Sequence, residues 1–172
     1  SVFLLSDPAA SVSATAFTSA PLASLPLGYE LVTVFANGIP SPAFAVSPPG
    51  IEVEQPVGTG IADGGTQSFG LASVGHPASL VFTIRNTGGA SLTGLTITRD
   101  GADAGDFTVT ANPTTPVVPA GSTTFTIQFA PTSDLTATKS AVIHIANNVW
   151  WKNPYDIILT GQSLSFTTDA DG

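Results

Sequence analysis

Seventeen Gly and fourteen Pro, spread along 172 residues, would interrupt any long helix. Between them, apolar and polar residues alternate with a period of two. The clearest example is Phe125-Thr126-Ile127-Gln128-Phe129, which puts two Phe and one Ile on one face and Thr and Gln on the other. Leu80-Val81-Phe82-Thr83-Ile84-Arg85, Leu95-Thr96-Ile97-Thr98, Phe107-Thr108-Val109, Ala141-Val142-Ile143-His144-Ile145 and Asp156-Ile157-Ile158-Leu159-Thr160 behave alike, as does Ile51-Glu52-Val53-Glu54. Asp63-Gly64-Gly65 and Asn86-Thr87-Gly88-Gly89 supply turns. About seven strands in roughly 110 residues predict an antiparallel sandwich. Its core is expected to hold Phe82, Ile84, Leu95, Ile97, Phe107, Phe125, Ile127, Phe129, Ile143, Ile145, Ile157 and Leu159.

A smaller unit precedes this one. Ala16-Phe17-Thr18, Gly28 to Phe35 and Ala43 to Val46 read as strands, and Asn37-Gly38 is a strong hairpin-turn signal. Ser47-Pro48-Pro49-Gly50 carries no pattern and reads as a linker, stiffened by Pro. The expected organisation is all-β: tandem immunoglobulin-like sandwiches over residues 1–48 and 49–163, with 164–172 beginning a linker or a further repeat. About 48 residues hold too few strands for a full sandwich, so the first unit is expected to be partial. Its strands must pair with the second unit or with another copy.

Charge restricts the partners. Only 9% of residues are charged, and the formal net charge is −8. Four Lys and Arg cannot neutralise a row of phosphates, so nucleic acid and anionic lipid are not expected partners. Cysteine is absent, as is methionine, so Ser1 is read as following a removed signal or lying inside a longer protein. No apolar run is long enough for a membrane helix, and no insertion is expected. Scarce Lys leaves strand edges poorly defended, so strand pairing between copies into an oligomer or filament is a candidate contact.

Three separated runs carry a family resemblance: Phe82-Thr83-Ile84-Arg85-Asn86-Thr87-Gly88, Phe125 to Pro131, and Ile143 to Asn148 followed by Asn153 to Gly161. In that order they resemble the bacterial choice-of-anchor D domain, an immunoglobulin-like sandwich similar to the ASH-type domains of cilia-associated proteins. The resemblance spans about Ile51 to Gln162. It implies a stalk, spacer or filament subunit in an exported or cell-surface protein, with no catalytic residues. Leu25 to Val46 resembles the last strands of the sandwich that follows a β-propeller in galactose-oxidase-like and kelch proteins. That likeness raises the alternative of an accessory domain of a larger protein.

Candidate site residues are few. Where the resembled family shows an acidic turn, this chain has Val149-Trp150-Trp151-Lys152. In an extended hairpin tip, adjacent Trp residues point to opposite sides, so at least one should be exposed. Trp150, Trp151 and Lys152 are therefore the candidate contact for a protein or a glycan. Asp169-Ala170-Asp171-Gly172 resembles the first half of a calcium loop in thrombospondin type 3 and dockerin-like repeats. Asp169 and Asp171 are thus candidate Ca2+ ligands, in a loop lacking the further oxygens such a site needs. Asp100, Asp103 and Asp106 are read chiefly as carboxylates holding a tight loop by local backbone bonds, with a cation site as the alternative. His76 and His144 are read as solvated surface side chains. No Ser sits in a nucleophile elbow, and no catalysis is expected.

Overall fold

The structure, a computed structural model, describes residues 47–133 and 137–164, and before residue 47 the backbone of six short strands. These are β1 (Ser11–Val12), β2 (Phe17–Thr18), β3 (Glu30–Val32), β4 (Phe35–Ala36), β5 (Ile39–Pro40) and β6 (Phe44–Val46). They pair antiparallel as β1 with β2, β3 with β6 and β4 with β5. The alternation over Gly28 to Phe35, expected to be one strand, is divided between β3 and β4, which have different partners.

Nine strands follow. They are β7 (Glu52–Glu54), β8 (Gly60–Ile61), β9 (Gly65–Ala72), β10 (Ala78–Arg85), β11 (Thr96–Asp100), β12 (Phe107–Ala111), β13 (Ser122–Phe129), β14 (Ala137–Ala146) and β15 (Tyr155–Ser163). A five-stranded sheet has the order β12-β13-β10-β7-β8, and a four-stranded sheet the order β11-β14-β15-β9. The protein is all-β, an immunoglobulin-like sandwich. Two features depart from the expected antiparallel arrangement. Strand β9 was not foreseen, and it pairs parallel to β15, with Ile157 opposite Gly65 and Thr160 opposite Ser68.

Alternation positions the core. Strand β13 buries Thr123, Phe125, Ile127 and Phe129, and β15 buries Tyr155, Ile157, Leu159, Gly161 and Ser163. Register then aligns like with like. Phe82 lies opposite Phe125 with rings stacked at 4.8 Å, and Phe107 opposite Phe129 at the same separation. Phe69 of β9 reaches across from the other sheet to within 5.5–6.4 Å of Phe82, Phe107 and Phe129. A side chain at Gly161 would collide with the Phe129 ring, so glycine there lets the two sheets close.

Of the expected core, Ile97 is a correction: it is only half-buried, because β11 is an edge strand of the smaller sheet. Phe69, Leu92, Val117, Val149 and Tyr155 are buried and were not on that expected list.

Candidate interaction surface

One end of the sandwich gathers residues 47–50, two asparagine-centred turns and the Trp pair. Asn86 follows the last residue of β10 and is 1% exposed. Its Oδ1 accepts N–H bonds from Gly50 (3.2 Å) and Gly88 (3.0 Å), and its Nδ2 donates to the Ala90 (2.7 Å) and Val117 (3.0 Å) carbonyls. Its backbone also bonds Gly121 and Ala120. A buried amide with every side-chain bond made is a rigid node, since leaving any of them unmade in a low-dielectric interior is costly. Ser47 and Pro48 bond the same loop through Gly89 N–H. Gly88 lies so close to residues 48–50 that a Cβ there would stand against the Pro48 carbonyl oxygen and the Gly50 nitrogen.

The second turn follows β14. Asn147, also buried, donates through Nδ2 to the Ile145 and Lys152 carbonyls, and its Oδ1 accepts from Val149 N–H at 2.8 Å. Those bonds curl residues 148–152 inward, so Trp150–Lys152 is a 3-10 turn and not the extended tip expected. Val149 is fully buried and anchors the turn. Trp151 packs half-buried against the core edge, while Trp150 is 60% exposed. The two indoles meet edge to face at 5.4 Å; they do not point to opposite sides. Lys152 folds back, with Nζ donating to the Ile51 carbonyl at 3.3 Å and lying 5.5 Å from the Tyr155 ring centre. Asn148 bonds Ser91 and Thr93 on the other flank. The Trp turn is thus tied on one side to Ile51, and on the other to the Asn86 loop.

His144 is not a lone solvated side chain. It lies on the outer face of β14, with Nδ1 2.8 Å from Asp156 Oδ1 on β15 and Nε2 3.3 Å from Asp100 Oδ2 on β11. When protonated it donates to both and links three adjacent strands. The hydrogen bond with Asp156, then that with Asp100, holds its pKa above the usual 6.5 against partial burial. A group with a raised folded pKa adds stability that is fully present below the unfolded value and is lost as pH rises through the folded one. Wild type should therefore out-melt His144→Gln most clearly near pH 5.5, and the gap should narrow toward pH 8.5. Thermal melts across that range check it, and a gap that widens with pH would refute the clamp.

The three loop aspartates do not converge. Asp100 faces His144, whereas Asp103 and Asp106 both face Lys139 Nζ, at 3.1 and 3.5 Å. Their other oxygens bond distant groups: Ser140 N–H to Asp103, and Thr132 N–H and hydroxyl to Asp106. The Ser140 bond lowers the Asp103 pKa. The Asp103 and Asp106 carboxylates hold the loop by long-range contacts where local backbone bonds were expected of them, with an ammonium at the point a cation would take. Among the described residues no three metal-ligating side chains are placed to hold an ion. Asp169 and Asp171 lie outside the described residues. His76 is exposed and closes a tight turn with Ser73. Among the described residues no helix is long and apolar enough to cross a membrane.

Strand β9 borders the smaller sheet and carries no charged residue. An open depression of about 490 Å³ beside it is lined by Ser68, Gly70, Leu71, Thr138, Thr160, Gly161 and Gln162. Leu71 is exposed there. The other edges are blunted. Strand β8 has two residues, β12 carries a bulge, and β11 presents Arg99 and Asp100.

Comparison with solved structures finds several low-identity likenesses. An ASH/PapD-like domain of human CEP192 (PapD-like domain 7) is 12% identical, covering 68% of this chain and 87% of that one, with a TM-score of 0.44. A protein of unknown function from Porphyromonas gingivalis W83 is 16% identical over 85% of this chain and 88% of that one, TM-score 0.46. A family 123 glycoside hydrolase from Clostridium perfringens is 9% identical, TM-score 0.45, over 59% of this chain but only 23% of the hydrolase. No curated protein matches the chain. The family model described as ASH (Abnormal spindle-like microcephaly-associated, ASPM-SPD-2-Hydin) matches residues 62–153, more than half of the sequence. The chain belongs to the ASH family.

Proposed function

We propose that this chain is a non-catalytic spacer module of a bacterial secreted or cell-surface protein, of the choice-of-anchor D kind, whose job is to hold successive units at a fixed angle. The observation that carries this reading is the clamp at Asn86. Domain junctions are by default flexible segments where few contacts cross. Here Ser47, Pro48 and Gly50 are each hydrogen-bonded into the Asn86–Gly89 loop, and two prolines stiffen the segment between. Such a junction transmits orientation, which a stalk or spacer needs and a tethered enzyme domain does not. The exported setting rests on the likeness of the three sequence runs to choice-of-anchor D domains.

The chain has no cysteine, so two introduced cysteines give unique spin labels. Labels at Ala45→Cys and Thr108→Cys should give one narrow distance distribution. Gly88→Ala, which drives a methyl into the linker backbone, should broaden it. A broad distribution in the parent chain would sink the spacer reading.

A second reading has its own support at β9. An uncharged eight-residue border strand beside an open depression lined by uncharged residues is suited to strand addition by another copy. Gly70, at φ +71°, bulges the strand after Phe69, so the flat segment open to pairing is Gly65 to Ser68. Light scattering over a wide concentration range tests this: Gln67→Pro should abolish any growth in mass that the parent shows.

A further inference from the structure

We propose that Trp150 and Trp151 form the seat on which the segment preceding Ser47 docks, so that the angle of the tandem is set by an apolar contact as well as by the linker. This deepens the spacer reading and rests on it. Three observations select that occupant. First, the Trp turn stands at the end of the sandwich where the chain enters, since Lys152 bonds Ile51 and Asn148 bonds Ser91 and Thr93. Ser47 is held two residues from Ser91, at Gly89. Second, no spacer residue intervenes. Strand β6 ends at Val46, immediately before the clamped Ser47, and Glu30 of β3 lies opposite Val46. The β3–β6 pair is therefore delivered to this end of the sandwich by the backbone itself, since each residue extends the chain by at most about 3.6 Å. Third, the chemistry fits. Residues 1–46 contain no Lys or Arg, only Asp7 and Glu30 as carboxylates, and a majority of apolar residues. A unit that short buries too little of its own apolar surface and gains from an apolar seat.

Competing occupants are at a disadvantage. A second copy must pay the entropy of association, whereas the tethered segment faces the indoles at the high effective concentration of a short linker. The seat is also built for contact. Trp151 is fixed against the core edge, and it holds Trp150 by the edge-to-face contact at 5.4 Å, so little side-chain freedom is lost on docking.

The test uses the full chain with labels at Ala45→Cys and Thr108→Cys, comparing Trp150→Ser and Trp150→Phe. Trp150 is exposed, so its replacement should leave the melting of the sandwich unchanged. The expected result is a distribution about twofold or more broader in Trp150→Ser, restored by Trp150→Phe, as domain motion returns once an apolar interface is lost. A parent and a Trp150→Ser chain that are equally narrow would overturn the docking seat while leaving the clamped spacer standing. A broad parent would overturn both. If Trp150→Ser instead removes concentration-dependent growth in mass by light scattering, the indoles face a second copy and the intrachain seat is wrong.

Discussion

Phe129→Ala is expected to lower the free energy of unfolding by about 3–5 kcal/mol, the usual cost of emptying a large aromatic site in a packed core. Phe129 has no solvent exposure, stacks on Phe107, meets Phe69 of the opposite sheet, and fills the space that Gly161 leaves open. Few neighbours can collapse into the gap. The strands on either side are fixed by ladder bonds, and the Phe69 ring is already shared with Phe82 and Phe107. Urea melts measure the loss. A change below about 1 kcal/mol, the scale of ordinary surface substitutions, would mean that the sheets do not close over this ring.

Asn86→Ala should be nearly as damaging, at about 3 kcal/mol or more. It removes four side-chain hydrogen bonds worth roughly 1 kcal/mol each, and it leaves the buried Val117 carbonyl with one partner fewer. Asn86→Asp separates the two jobs of this residue. Its carboxylate still accepts from Gly50 and Gly88 but cannot donate to Ala90 and Val117. It should therefore destabilise the fold while keeping the label distribution narrow, whereas Asn86→Ala should broaden it. Comparable breadth in both variants would separate the linker clamp from this side chain.

The strands with unbroken alternation were readable from the chain itself. In β13 and β15 each inward position is apolar or small, and period two assigns it a face without reference to any partner. Strand β9 was not readable. It opens on Gly65 and is interrupted by Gly70, Thr66, Gln67 and Ser68 supply no apolar residue, and the bulge breaks the period just after Phe69. A lone Phe between polar residues and glycine carries no periodic signal, yet in the fold it is the aromatic bridge between the sheets. Ile97 erred in the opposite direction. Its alternation is sound, but only strand order makes β11 an edge and leaves the side chain half covered.

Site residues divide in the same way. Adjacency made Trp150 and Trp151 the candidate contact; that the two indoles touch depends on Asn147, whose amide closes the turn. The Asn86-Thr87-Gly88 run stood out as a motif, but nothing in it announced the bond from Asn86 to Gly50, thirty-six positions away. His144 read as solvent-facing because alternation reports a face and says nothing of the neighbours on it. Asp156 comes opposite by the pairing of β14 with β15, and Asp100 comes within reach by that of β11 with β14. Sequence alone determined an all-β chain and the inward faces of its main strands, because periodicity acts within a few residues. Strand order, the parallel β9 pairing and every contact at the candidate surface were decided by tertiary structure, because each joins residues that only the folded register brings together.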